Sequence, residues 1–436
     1  DKWAAATARA LDDGGGGRGA LAEGCAHASR AFFLEAEVVR GFDAAAFKLA
    51  PLEAAAVDPA HRLLLECAVE ALARAGYSRA DVSGRRVGVF VGLSGHEWQL
   101  LQREAGALPS AHSLVGHAAS LAANRISYAL GLDGPSVTVD CACASAAVAI
   151  DLAAGCLARA DAADEEAGGG GGDGDGCELA LAGGANLLLH PHTFVELARL
   201  GVLSRAGVAA PFGAKADGYV RGESCGFFVL RRARGGASPD GAPHGATRAA
   251  GGRALATLAG RAVGHNGRSI ALVAPNGAAQ RALLSRALAS ARLPAHAIAA
   301  IEANASGTPL GDAVEVGALA AVFGGDARLG AAPLTVSTAK GAVGNSEAAA
   351  AVPALLKVLA QLHRGAVLPT AGLRADAIAP AVLEAARDDG ERGEARVHLV
   401  AERARQLRGT RCAWLFGGQG AQHVAMGRAL HALSLI

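Results

Sequence analysis

A thiol set where an apolar strand runs into a helix is the arrangement in this sequence best suited to chemistry. Ser136 to Asp140 (SVTVD) reads as a short buried strand and CASAAVAIDLAAGCLARA as the helix that follows, which places Cys143 at the strand-to-helix turn. The positive end of the backbone dipole there lowers a thiol's pKa and favours the nucleophilic thiolate. On position alone, a cysteine packed as a small hydrophobe is the plainer alternative. The other cysteines (Cys25, Cys67, Cys141, Cys156, Cys177, Cys225 and Cys412) lack paired spacing, and Cys141-Ala142-Cys143 has no second pair of ligands beside it. Neither a disulfide framework nor a metal site is expected.

The elements that must position this thiol follow an alternating grammar. Asp58 is an N-cap, Pro59 takes the first helical position, and apolar residues recur at helical spacing from Leu64 to Ala75 before Gly76 stops the helix. Short apolar strands are expected at Val87 to Val91, Glu178 to Ala182 and Cys225 to Leu230. After a Gly/Pro/Arg-rich stretch, residues 231–253, the grammar begins again. Strands are expected at 255–262, 298–303 and 334–338, alternating with helices at 278–291, 312–323 and 347–363. Two βα-rich halves, about 1–230 and 254–363, imply an internal duplication in a layered α/β sandwich. The low-complexity run Asp161 to Gly176 reads as a solvated loop, with a docking loop as the alternative.

At 436 residues the chain is long enough for two or three domains or one large duplicated body. Lys and Arg total 41 against 40 Asp and Glu, so no global field draws the chain to nucleic acid or an anionic membrane. No apolar stretch approaches the ~20 residues of a membrane span, and Asp1-Lys2-Trp3 does not open a signal peptide. A reducing, cytoplasmic setting is the expectation. The chain opens on Asp1 and its single methionine is Met426, which points to a segment of a longer polypeptide.

Seven ordered blocks then carry a resemblance. They are FDAAAFKLAPLEAAAVDPAHRLLLECAVEAL, VGVFVGLSG, AASLAANRISYALGLDGPSVTVDCACASAAVAI, LAGGANLLLHPHTFVELARLGVLS, PFGAKADGYVRGESCGFFVL, IEANASGTPLGDAVEVGAL and STAKGAVGNSEAAAAVPALLKVL. In order and spacing this chain resembles the ketosynthase (beta-ketoacyl synthase) domain of modular type I polyketide synthases over about residues 40–365. The resemblance implies a thiolase-like fold, a duplicated five-layered αβαβα sandwich, and a homodimer. It implies that Cys143 receives an acyl chain from the phosphopantetheine arm of an acyl carrier protein, with no cofactor bound by the domain itself. A malonyl-type extender then loses CO2, and its carbanion attacks the acyl thioester.

Two histidines accompany that cysteine in the family, and here Asn304 and Asn345 stand at both positions. An asparagine amide donates hydrogen bonds but does not titrate near neutrality, so loading is expected to survive better than condensation. Relatives with a Cys-His-Asn set make Asn345 compatible with condensation; Asn304 removes the remaining imidazole. Lys340 and Glu347 match residues that order the site electrostatically, ordinary helix-cap or surface charge being the alternative. Ser306 and Thr308 match hydroxyls that bind the phosphopantetheine arm. His117 and His265 flank these blocks, and neither replaces the missing pair by sequence.

The family's first strand is missing from the opening residues. Residues 364–410 read as a short linker, and CAWLFGGQGAQHVAMGRAL (Cys412 to Leu430) resembles the opening of an acyltransferase domain, so 411–436 is expected to begin one. A degenerate form of the ketosynthase's own last strand is the alternative. Full condensation with asparagine donors, a silent dimerisation and carrier-docking module, and more distantly a coenzyme A-dependent thiolase are the competing functions.

Overall fold

The computed structural model describes residues 28, 30–166, 176–232, 254–324, 334–386, 397–401, 405–406, 411–417, 421–428 and 433–435. The strands in chain order are β1 Val87–Gly92, β2 Ser136–Val139, β3 Leu179–Asn186, β4 Ser224–Arg232, β5 Ala256–His265, β6 Ala300–Glu302, β7 Leu334–Ser337, β8 Ala366–Val367, β9 Val397–Leu399, β10 Arg405–Gln406, β11 Arg411–Gly417, β12 Ala421–Arg428 and β13 Leu433–Leu435.

Strand order shows the duplication. In the first half β2 and β3 flank β1 in parallel, β4 runs antiparallel to β3, and β13 runs antiparallel to β4. In the second half β7 and β11 flank β6 in parallel, β12 runs antiparallel to β11, and β5 runs antiparallel to β12. The two five-strand patterns are the same. They meet where β13 also pairs with β5, giving a continuous 11-stranded order with β9 at one edge beside β7.

The side-chain alternation of the strands separates the layers. In β1 and β3, Val87, Val89, Val91, Leu179 and Leu181 pack with the outer helices Pro59–Arg74 and Ser120–Leu130. The opposite faces, Phe90, Ala180 and Ala182, pack on helix Ser145–Glu166, which shares its core with helix Ala351–Arg364. In the second half Ala300 faces these central helices, whereas Ile301 faces the outer helices Gly277–Ala291 and Pro309–Phe323. The result is the expected αβαβα sandwich, with small residues (Ala146, Ala149, Ala153) letting the central helix sit close to the first half-sheet. The stretch Ala142–Arg159 is long and apolar enough by composition to cross a membrane, but here Ala146, Ala149, Ala153, Cys156 and Leu157 are buried in the central layer.

Local signals act as expected at helix Pro59–Arg74: the Asp58 carboxylate accepts the Ala60 N–H at 2.8 Å, and Gly76 leaves with φ 83°. The ends of the chain differ from expectation. Residues 364–410 are not only a connection: β8 pairs with β10, β9 extends the sheet, and Leu373, Val382, Val397 and Leu399 are buried against the second half. Their apolar side chains have a core to enter, which a solvated linker lacks. Residues 411–417 and 421–428, expected to open an acyltransferase, form two antiparallel strands inside this sheet between β6 and β5. Residues 1–27, where the first strand is expected to be missing, and 167–175 of the low-complexity run lie outside the described residues; helix Ser145–Glu166 continues through the start of that run, where a loop is expected.

Candidate active site

Cys143 lies in a tight turn between β2 and helix Ser145–Glu166. The Ala142 N–H goes to Asp140 Oδ1 (3.0 Å), and Ala142 has φ 49°, the left-handed region that a residue with a Cβ adopts only when its surroundings impose it. Ser145 imposes it: its Oγ accepts the Cys141 N–H at 2.8 Å and donates to the Ala142 carbonyl at 2.7 Å. The helix then settles on β1 at Gly92, where a Cβ would lie 2.3 Å from the Ala146 nitrogen. Glycine is required there for the helix to approach the sheet. The helix begins at Ser145, two residues after Cys143, so the thiol sits in the approach turn rather than in the first helical turn.

That shift corrects the expectation of a lowered thiol pKa. Burial pushes the Cys143 thiol above its ordinary value, Lys340 works against this, and Glu347 adds to it. Desolvation of the thiolate outweighs the nearby ammonium. Cys141 is raised as well, by burial and then by Asp140.

The second half brings Asn345 into contact with the sulfur and sets Lys340 and Glu347 close enough to act on its charge. Asn345 is 3% exposed, and its Nδ2 donates to Cys143 Sγ at 3.6 Å. Its Oδ1 accepts the Glu347 N–H at 3.0 Å, which fixes the amide with its NH2 toward the sulfur. Asn304 follows β6; its backbone N–H and that of Ala305 go to the two oxygens of Glu315, each at 2.8 Å. The Lys340 ammonium donates to Asn304 Oδ1. A lysine ammonium only donates, so this carboxamide presents its oxygen to Lys340 and its NH2 elsewhere. Both carboxamides are thus held by their oxygens and free to donate.

Lys340 is pulled down by burial, an effect opposed by Cys143, Glu315, Asp312 and Glu302 in turn. Ser306 and Thr308 share a hydrogen bond of 3.1 Å, and with Asn304 they are the partly exposed positions of a loop whose alternate residues, Ala303, Ala305 and Gly307, are buried. Their hydroxyls line one side. His265 lies at the exposed end of β5, where its Nδ1 accepts the Gly267 N–H at 3.0 Å, and His117 lies near the buried His61. Their placement supplies no imidazole contact to Cys143.

Several residues of this constellation escape a reading of the sequence. Asp312 and Glu315 point from helix Pro309–Phe323 into its buried side; Asp312 accepts the N–H groups of Phe212 (2.8 Å) and Gly307 (3.2 Å). Burial raises Asp312 to about 6 and Glu315 to about 7, against the lowering by these backbone donors. Two acids three apart in an otherwise apolar helix are a signal for them. Arg221 and Tyr219 meet Glu347, and Glu97 meets Arg221, from far away in the chain, and no local pattern marks them. Among the described residues, no group of three or more His, Cys, Asp or Glu is arranged to hold a metal ion. A half-buried thiol beside the Asn345 amide, within the field of Lys340, can attack a thioester carbonyl with an N–H donor next to the reacting sulfur.

Comparison with known proteins agrees with this chemistry. The family described as Beta-ketoacyl synthase, N-terminal domain, matches residues 18–169 and 173–235, and Beta-ketoacyl synthase, C-terminal domain, matches 255–374. A spectinabilin polyketide synthase system protein of Streptomyces orinoci is 39% identical over 328 residues, 75% of this chain and 8% of that protein. A polyketide synthase of Burkholderia thailandensis is 37% identical over 344 residues, 79% of this chain and 6% of that protein. The chain therefore spans a small part of each of these relatives. Among solved structures, an oxazolomycin ketosynthase domain from Streptomyces albus superposes with TM-score 0.76 at 31% identity, covering 94% of this chain and 67% of its own. The ketosynthase from module 6 of the bacillaene synthase of Bacillus subtilis shares the fold with TM-score 0.73 at 23% identity, covering 92% and 63%.

Proposed function

Because the chain belongs to the beta-ketoacyl synthase family, as a ketosynthase domain of the modular polyketide synthase kind, we propose that Cys143 accepts an acyl chain from an acyl carrier protein and that decarboxylative condensation is weak. The 3.6 Å contact between Asn345 Nδ2 and Cys143 Sγ supports Cys143 as the acyl acceptor, and the carboxamide of Asn304 on Lys340, with no imidazole beside it among the described residues, supports weak condensation. In loading, the Cys143 sulfur attacks the acyl carbonyl carbon, and the tetrahedral oxyanion collapses with loss of the phosphopantetheine thiolate, which takes up the thiol's proton. Ser306 and Thr308 hold the arm by their hydroxyls, and Lys340 and Glu347 set the field at the sulfur. In condensation, the malonyl carboxylate would leave as CO2, its electron pair forming an enolate that displaces Cys143 from the acyl carbon. The family's two histidine positions are occupied by Asn304 and Asn345, and an uncharged amide stabilises that enolate less than the imidazole it replaces.

A second reading draws on the same geometry. With both oxygens anchored, by Lys340 and by the Glu347 N–H, the two carboxamides are pre-set donors, which is what full condensation without histidine would use. The acyl carrier protein is the partner in either case, an acyltransferase domain is its neighbour in the longer polypeptide, and the domain is a homodimer. For the homodimer, β2 is a sheet edge, and Tyr128 on the helix beside it is 89% exposed. The ketosynthase body is assigned to residues 1–363, with strands from 397–399, 411–417, 421–428 and 433–435 completing its sheet. Beyond 364–410, the segment 411–436 joins an acyltransferase-like sequence to a place in the ketosynthase sheet.

Intact mass after incubation with an acyl-carrier thioester tests the proposal. One acyl group is expected on the wild type and none on Cys143→Ala, and addition of malonyl-carrier should release little CO2. An adduct that persists in the variant removes the assignment of Cys143. Brisk β-ketoacyl product from the wild type establishes the second reading, absence of both loading and condensation leaves a silent scaffold, and a monomer by light scattering removes the homodimer.

A further inference from the structure

Arg221 is buried, 2% exposed, yet it belongs to neither the thiol nor the carrier-binding hydroxyls. Its Nε and Nη2 grip the two oxygens of Glu347, each at 2.8 Å, and Nη2 also reaches Glu97 Oε1 at 3.2 Å. Its guanidinium carbon lies 4.5 Å from the centre of the Phe194 ring. Glu97 is itself fixed, because its Oε2 accepts the N–H groups of Leu189 (2.7 Å) and His190 (2.9 Å) just past the end of β3. Tyr219 adds a hydroxyl to Glu347 at 3.3 Å. Arg221 Nη1 finds no partner among the described residues, a cost that an apolar side chain of similar volume avoids.

What the grip secures is Glu347. This residue has φ 43°, left-handed for a side chain with a Cβ, and in that conformation its N–H meets Asn345 Oδ1. The backbones are also tied: the Asn345 N–H goes to the Val220 carbonyl and the Gly222 N–H to the Asn345 carbonyl, both at 2.8 Å. A continuous path of bonds therefore runs from just past the end of β3 through Glu97, Arg221, Glu347 and Asn345 to Cys143 Sγ, crossing from the first half of the duplication to the second. Burial disfavours the charge of Arg221, but Glu347 and then Glu97 outweigh it and hold the guanidinium pKa above its ordinary value.

Resting on the function proposed above, we propose that Arg221, anchored by Glu97, is a positioning residue that holds Glu347 in its left-handed conformation and so aims the Asn345 amide at the nucleophile. It has a second effect. The Glu347 carboxylate raises the thiol's pKa, and removing the guanidinium paired with that carboxylate is expected to strengthen this influence.

Alkylation of Cys143 by iodoacetamide across a pH series, read by intact mass beside acyl loading and thermal denaturation, tests this. Arg221→Met should move the alkylation profile up by about one pH unit, because an uncompensated carboxylate then faces the thiol. It should also slow loading about 10²-fold, the scale of a misplaced catalytic group. Arg221→Lys, which keeps the charge but not the two-pronged grip, should restore the profile without restoring loading. If Arg221→Met does not fold, Arg221→Lys and Glu97→Gln carry the test, each expected to slow loading. A lower melting temperature with profile and loading unchanged overturns the proposal, as does full loading by Arg221→Lys. A wild type that never loads, in an Arg221→Met comparison that still shifts the alkylation profile, supports the positioning role and removes the acyl-transfer reading instead.

Discussion

Replacing Lys340 by methionine removes the cation at the site while nearly preserving its volume. In the native site burial drives the Cys143 thiol upward, and Lys340 is the largest influence holding it down. A facing opposite charge is worth roughly 1–3 pKa units, or about 1.4–4 kcal/mol, so its loss should raise the thiol by about that much. Below the new pKa each unit lowers the thiolate fraction tenfold, so loading at neutral pH should fall about 10- to 10³-fold. The deficit should shrink as pH rises, because enough alkali ionises either thiol. The same change deprives Asn304 Oδ1 of its donor. That amide can then turn, so a smaller deficit should remain at high pH, about 10-fold for one lost charged hydrogen bond of roughly 1.5 kcal/mol. Acyl loading of both proteins, followed by intact mass across a pH series, separates the two parts. Equal rates at every pH would refute the claim that Lys340 sets the thiol's ionisation, and a deficit that does not vary with pH would assign Lys340 to geometry alone.

Two further outcomes follow from the same site. Asn304→His should recover part of the condensation rate, read as CO2 release from malonyl-carrier, with Asn345→His adding less; no gain from either would support condensation by amide donors. Asp312 and Glu315 are raised to about 6 and about 7, so the folded protein holds protons that the unfolded chain has released in that range. Folding stability should therefore fall as pH rises from about 4 toward 7, and Glu315→Gln should flatten the dependence, with chemical denaturation at several pH values as the check. A slope that survives both Glu315→Gln and Asp312→Asn would show that other groups produce it.

Much of the architecture is legible in the sequence because it rests on local rules. Asp58, Pro59 and Gly76 bound a helix by their own side chains and backbone, and the period-two runs of β1 and β3 place valines and leucines on one face and Phe90 with alanines on the other. Cys143 is legible through its strand-to-helix setting, but its pKa direction is not. That depends on how far desolvation outweighs Lys340, and on a helix that starts two residues later than its apolar pattern indicates. Arg221 and Glu97 are illegible for another reason: Arg221 is separated by 126 residues from Glu347 and by 124 from Glu97, and neither separation has a periodic signature. The backbones of 397–399, 411–417 and 421–428 enter a sheet although the sequence there suggests a connection and a new domain. Pairing with strands already present outweighs weak local propensity.

The contact between Asn345 and Cys143 joins residues 202 positions apart. No early local unit can contain it. Helix Ser145–Glu166 and its neighbouring strands can form from the first half alone, but the second half must be made, folded and docked before an amide faces the sulfur. Such distant pairings raise contact order and slow folding, and a chain emerging at about 5–20 residues per second would expose the unpartnered thiol for roughly 10–40 s. Alkylation of Cys143 during refolding is therefore a clock for the joining of the two halves, one that far-ultraviolet spectroscopy, blind to which helices have met, does not keep.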